Sequence, residues 1–100
     1  MTIEGKKEGC LEELHAIVHG RVQGVCFREY TRKQALRLEI KGTVKNLKDG
    51  TVEIYAQGSK ECLKMLLKNV KIGPSLGFVD KIDVEYSQMQ KPLKDFQIIF

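Results

Sequence analysis

The sequence predicts an α+β fold in which two helices lie on one face of an antiparallel sheet, in the order β α β β α β with a short last strand. Three observations carry this. Apolar residues alternate with period two in Leu14–His19, Ile82–Tyr86 and Phe96–Phe100. Helical apolar stripes fill the interval after the first strand and the interval after a central hairpin. An Asp-Gly pair separates two extended runs in mid-chain. With 100 residues, 42% apolar and 30% charged, the chain can bury one core of two packed layers and no second domain.

Met1 to Glu13 is charged, holds Gly5 and Gly9 and has no periodicity, so a flexible tail is expected over 1–13 and a single domain over 14–100. In the first strand Leu14, Ala16 and Val18 share one face, and His15, Ile17 and His19 the other. Gly20 to Gly24 is a short glycine-bounded loop. Phe27, Thr31, Ala35 and Leu38 then recur at helical spacing, predicting a helix from about Cys26 to Glu39. Thr43–Leu47 and Thr51–Gln57 form a hairpin around Lys48-Asp49-Gly50, where Asp-Gly supplies the positive φ of a tight turn. Ser59 is placed to cap a second helix with Glu61 in its first turn. Leu63, Leu66, Leu67 and Val70 form its buried stripe, and Gly73-Pro74 ends it. Ile82, Val84 and Tyr86 mark the fourth strand; Phe96, Ile98 and Phe100 mark the fifth.

Composition narrows the function classes. No stretch approaches the roughly 20 apolar residues of a membrane span, and Met1–Gly9 lacks a signal-peptide apolar run, so a cytoplasmic protein with no membrane partner is expected. Cys10, Cys26 and Cys62 are odd in number and far apart, which suggests neither a disulfide framework nor a metal site. The net charge of +4 is unevenly spread: Leu14 to Lys48 carries eight Lys/Arg against two acids, or +6, and the remainder nine against eleven, or −2. Such a basic half attracts anions. No long apolar surface stripe is left over after both helices pack, which points to a monomer.

The informative segment is Val18-His19-Gly20-Arg21-Val22-Gln23-Gly24-Val25-Cys26-Phe27-Arg28. Glycines let the backbone turn so that successive N–H groups face one concavity, at a helix N-terminus whose free amides and dipole favour a phosphate. Arg28, in the first turn, adds a planar two-pronged donor. This run resembles the acylphosphatase signature, and Gly42-Thr43-Val44-Lys45-Asn46 followed by Gly50, Val52 and Gly58 resembles that family's second signature. The resemblance extends from about His15 to the C-terminus. The chain departs from the family at Thr43, where an aromatic residue is usual, and at Gln97-Ile98-Ile99-Phe100, where a basic residue is common.

The resemblance implies a ferredoxin-like fold and hydrolysis of a small-molecule acyl phosphate without metal or cofactor. It further implies that Arg28 and the amides of Gln23, Gly24, Val25, Cys26 and Phe27 hold the phosphoryl oxygens, while Asn46 orients the attacking water. The chemistry is consistent: a carboxylate leaves without protonation, because its acid has a pKa near about 4. A loose phosphoryl transition state needs positioning and charge compensation more than a strong base.

Other residues carry less. His15 and His19 share a strand face about 13 Å apart at roughly 3.3 Å per residue, too far to share one metal ion. Cys26 lies inside the loop, where a lowered thiol pKa would make a phosphatase-type nucleophile, but the resembling family tolerates varied residues there. Arg21 and Arg32 read as solvent-exposed, and Tyr55 and Phe78 as packing or surface aromatics. RNA binding on a sheet of this order needs stacking aromatics on the central strands. With only His15, His19 and Tyr55 there, no nucleic-acid partner is expected. A regulatory domain that keeps the loop without turnover is the remaining alternative.

Overall fold

The computed structural model describes residues 11–100, so Cys10 and most of the expected tail lie outside the described residues. Seven elements follow in order: β1 (Leu11–Arg21), α1 (Phe27–Arg37), β2 (Lys41–Asn46), β3 (Val52–Ser59), α2 (Lys60–Ile72), β4 (Phe78–Gln88) and β5 (Phe96–Ile99). The sheet order is β4-β1-β3-β2-β5. β1 pairs antiparallel with both β3 and β4, and β2 with β3. The sheet is not wholly antiparallel, because β5 runs parallel to β2, pairing Gly42 with Phe96 and Lys45 with Ile99.

The connection from β4 to β5 explains that departure. The two strands occupy opposite edges, four strand spacings of about 4.8 Å apart, roughly 19 Å. Residues 89–95 cross this distance as an extended strap over one end of the sheet and deliver the chain back in the reverse direction to β4. The strap is fastened by Gln57, which is 4% exposed. Gln57 Nε2 donates to the Lys91 carbonyl at 2.8 Å and to Glu13 Oε1 at 3.2 Å, and its Oε1 accepts from Leu93 N at 2.8 Å. A buried amide is thereby satisfied by a segment that has no ladder of its own.

Both helices cover one sheet face. Leu14, Ala16 and Val18 of β1, Val44 of β2 and Val52, Ile54 and Ala56 of β3 are buried on it. They pack against Phe27, Thr31 and Ala35 of α1 and Leu63, Leu66 and Val70 of α2. Each large aliphatic side chain removed from water there stabilises the fold by roughly 1.5–3 kcal/mol. Tyr30 Oη donates to the Asn69 carbonyl at 2.7 Å and Asn69 Nδ2 to Gln34 Oε1 at 3.1 Å, linking the helices. Ser59 Oγ accepts from Cys62 N at 3.2 Å as the cap of α2.

Boundaries differ where local signals are weak. Leu11, Glu12 and Glu13, expected in the tail, extend β1 and pair with Ser59, Gly58 and Gln57 of β3; Glu12 and Glu13 also pair with Gln88 and Ser87 of β4, and these partners hold them extended despite their polarity. β4 is longer at both ends than its three alternating apolar residues indicate. α1 begins at Phe27, one residue later than expected, and ends at Arg37, where Glu39 adopts a φ of 58° and Ile40 N bonds back to the Ala35 carbonyl. β5 ends at Ile99, one residue short of Phe100.

Candidate active site

The turn out of β1 opens at Gly20, where β1 shifts register against β4. Its φ of 131° and a Cβ position only 2.1 Å from the Phe78 carbonyl oxygen allow no side chain there. The following loop is held from one side by Gln23, whose Nε2 donates to the carbonyls of Leu47 and Thr51, each at 2.8 Å. Those two residues also close the β2–β3 hairpin through Leu47 N and the Thr51 carbonyl at 2.9 Å. The loop is therefore bolted to the hairpin that follows Asn46, through two hydrogen bonds from the Gln23 side chain to hairpin carbonyls.

Gly24 and Cys26 both take positive φ, 74° and 62°. Alternation of this kind turns consecutive N–H groups toward one side. Cys26 is the N-cap of α1 and makes no side-chain capping bond, although Tyr30 N bonds its carbonyl at 3.0 Å. The first-turn amides of α1 are thus not capped by a side chain, and a helix start in that condition favours an anion. A non-glycine residue in the left-handed region costs roughly 1–2 kcal/mol, a conformational cost borne at the mouth of the loop.

A cavity of about 330 Å³ opens here, walled by Val22, Gly24, Cys26, Phe27, Arg28 and Glu29 on the loop side and by Asn46, Ile98 and Phe100 opposite. Arg28 Nη1 donates to the Ile99 carbonyl at 3.4 Å, a weak contact, and its Cζ lies 4.6 Å from the centroid of the Phe100 ring. The guanidinium is held by the end of β5 yet keeps donors uncommitted. Glu29 is drawn to Arg32 at 3.5 Å. Asn46, at the end of β2, has a buried Oδ1 with no hydrogen-bond partner. Such an acceptor costs about 1–3 kcal/mol when left unmet, and so marks a position that a ligand or bound water would relieve.

Of the residues singled out from sequence, Gly24, Cys26, Phe27, Arg28 and Asn46 line this one cavity. Gln23 and Val25 do not line it: Gln23 turns its side chain to the hairpin, and Val25 packs against the core. Val22 and Glu29 were not singled out as site residues; Ile98 and Phe100 carried two sequence signals, alternation in the last strand and the departure from the family over Gln97-Ile98-Ile99-Phe100. His15 and His19 sit on the open sheet face away from the helices, bonded to Glu53 at 2.8 Å and Asp83 at 2.9 Å. Tyr55 stacks on His15 with centroids 4.4 Å apart. Among the described residues no group of three or more His, Cys, Asp and Glu side chains is placed to hold a metal ion, and no helix is long and apolar enough to cross a membrane.

The sequence model of the family described as Acylphosphatase matches residues 14–98. The chain belongs to the acylphosphatase family. It is 41% identical over 88 residues to an acylphosphatase of Thermus thermophilus, covering 88% of this chain and 99% of that relative. The crystal structure of an acylphosphatase from Bacillus subtilis superposes with a TM-score of 0.87 at 36% identity, covering 89% of this chain and 99% of that one. An acylphosphatase structure from Coxiella burnetii gives a TM-score of 0.86 at 35% identity over 94% and 98% of the two chains. The ferredoxin-like fold is shared, and the chain is an enzyme of the acylphosphatase type. The acylphosphatase match spans both signature segments, 18–28 and 42–46, which the fold brings to the two sides of the cavity.

Proposed function

We propose that this enzyme hydrolyses the carboxyl–phosphate bond of a small acyl phosphate, holding the phosphoryl group with Arg28 and the loop amides while Asn46 orients water. The observation that carries this reading is convergence on one cavity of an uncapped helix start, a guanidinium and a buried, unpartnered amide oxygen. Water attacks phosphorus, the bond from phosphorus to the acyl oxygen breaks, and its electron pair leaves on the carboxylate. The proton lost by water passes to solvent or to the phosphate released. No general acid is required, because the leaving carboxylate is stable unprotonated. Arg28 exchanges its weak contact with the Ile99 carbonyl for equatorial phosphoryl oxygens, whose charge the first-turn amides share. Asn46 Oδ1 accepts from the attacking water, filling an acceptor already withdrawn from solvent.

In this reading the reaction needs no metal, because Arg28 and the loop amides supply the charge compensation on the phosphoryl oxygens. The exposed free thiol of Cys26 suits the reducing cytoplasm. The test is hydrolysis of benzoyl phosphate in EDTA by the wild type, Arg28→Ala and Asn46→Ala. Arg28→Ala is expected to lose at least about 10² to 10³ in rate, the loss typical of one transition-state donor, with the circular dichroism spectrum unchanged. Near-normal turnover in either variant, or an absolute requirement for Mg²⁺, would overturn the proposal.

A further inference from the structure

The reading above leaves unused a basic groove on the far side of α2. Lys60, Lys64, Lys68 and Lys71 recur at spacings of four, four and three and form one exposed stripe along α2. The helix and β4 enclose a groove of about 620 Å³, walled by Lys64, Lys68 and Lys71 and floored by Leu67, Ile82 and Val84. Asp80 and Lys81 line it from β4, but Lys81 pairs with His19 and directs its side chain to the open sheet face, leaving three positive charges against one negative on the groove side. The floor is under-covered for strand residues that face the helices: Val84 is 36% and Tyr86 39% exposed. β4 is also an edge strand of eleven residues, with its outer edge unpaired among the described residues.

We propose that this edge is a docking site for an extended acidic segment of a partner protein, which adds to β4 as a sixth strand and lays its carboxylates along the lysines of α2. An edge strand offers main-chain hydrogen bonds to any extended chain, and flanking side chains decide which chain is accepted. Lysines four apart on a helix rise about 6 Å, and alternate residues of a strand about 6.6–6.8 Å, so each second side chain of the added strand meets a new ammonium. Glu stems can lie on Ile82 and Val84 while their carboxylates reach the wall. On the opposite face the added strand meets Asp83 and Glu85, the partners of Ile17 and His15 in β1, together with Lys81, a net negative set that favours neutral or basic intervening residues. Alternation of acidic with neutral residues is therefore the recognition pattern.

Two other occupants fit less well. Single-stranded nucleic acid needs aromatic platforms, and no aromatic residue lines the groove; Tyr86, farther along β4, lies under the Lys60 ammonium at 5.4 Å. A second copy of the chain would set one lysine wall against another.

The test is titration of the full-length, ¹⁵N-labelled protein with the blocked peptide Ac-(Glu-Thr)5-NH2, followed by amide chemical shifts. Shifts confined to β4 and α2 are expected, with binding weakened at least tenfold in the double variant K64E/K68E while benzoyl phosphate turnover stays at the wild-type level. A peptide N-methylated on the residues that face the edge is expected not to bind, a result that uses only wild-type protein. No shifts with Ac-(Glu-Thr)5-NH2, equal binding of the N-methylated or (Lys-Thr)5 peptide, or tighter binding of a ten-nucleotide oligothymidine at the same residues would each overturn the proposal.

Discussion

Gln23 shows how much of the site rests on a single side chain that does not line it. Its amide supplies two hydrogen bonds, both 2.8 Å, that join the glycine loop to the hairpin carrying Asn46. Truncation removes one of the two hydrogen bonds that each carbonyl accepts, leaving Leu47 with Gly50 N at 3.2 Å and Thr51 with Leu47 N at 2.9 Å. Gln23→Ala is expected to lower stability by about 1–3 kcal/mol in urea denaturation. It is also expected to reduce kcat more than it raises KM, because the loop and the water-orienting Asn46 lose their common reference; unchanged kcat at lowered stability would assign Gln23 a purely structural role. At the same scale, sequence and structure agree where chemistry is local. The glycines, Arg28 and Asn46 are legible because their backbone needs and their motif spacing are contained in short segments. Phe100 stood out only as part of the departure from the family at the C-terminus; its contact with Arg28 was not readable, because it joins positions 72 apart in number through a strand pairing that no local pattern encodes.

Among the elements, the hairpin is the clearest case of turn chemistry setting geometry. Asp49 Oδ1 accepts from Thr51 Oγ1 at 2.6 Å and from Thr51 N at 3.0 Å, and these bonds, the hydroxyl first and then the amide, hold its carboxyl below the usual carboxylate range. Depression in the folded state means that Asp49 stabilises the hairpin at pH above its unfolded pKa, and that this contribution disappears as pH falls through the lower folded value. The urea midpoints of the wild type and Asp49→Asn are therefore expected to differ most near neutrality and to converge toward pH 2; a gap that persists at acid pH would show that ionisation is not the cause. The Asp-Gly pair made this turn readable in advance. The longer reach of β1 and β4 was not readable, because their terminal residues are polar and are held by partners on neighbouring strands, not by their own periodicity.

Across the whole molecule, the reversal between β4 and β5 decides the architecture, and Gln57 secures it. Replacing it by Leu keeps the volume but leaves the Lys91 carbonyl and the Leu93 amide without their partner. Since the strap is exposed and water can replace part of what is lost, Gln57→Leu is expected to cost about 1–3 kcal/mol in chemical denaturation, with the core otherwise intact. A neutral result would mean that residues 89–95 are fixed by their length alone. Two helices on one face were legible from their stripes, whereas the parallel direction of β5 follows only from where the strap lands.

The shortest strand holds the far wall of the cavity. β5 has four residues, lies at a sheet edge and pairs on one side only, yet Ile98, the Ile99 carbonyl and Phe100 complete the surroundings of Arg28. Segments of this kind detach at a free-energy cost well below that of global unfolding. Catalytic competence and structural integrity are then separate quantities in this protein: a population whose other four strands are fully formed can contain silent molecules, differing from active ones only in whether the last few residues are docked.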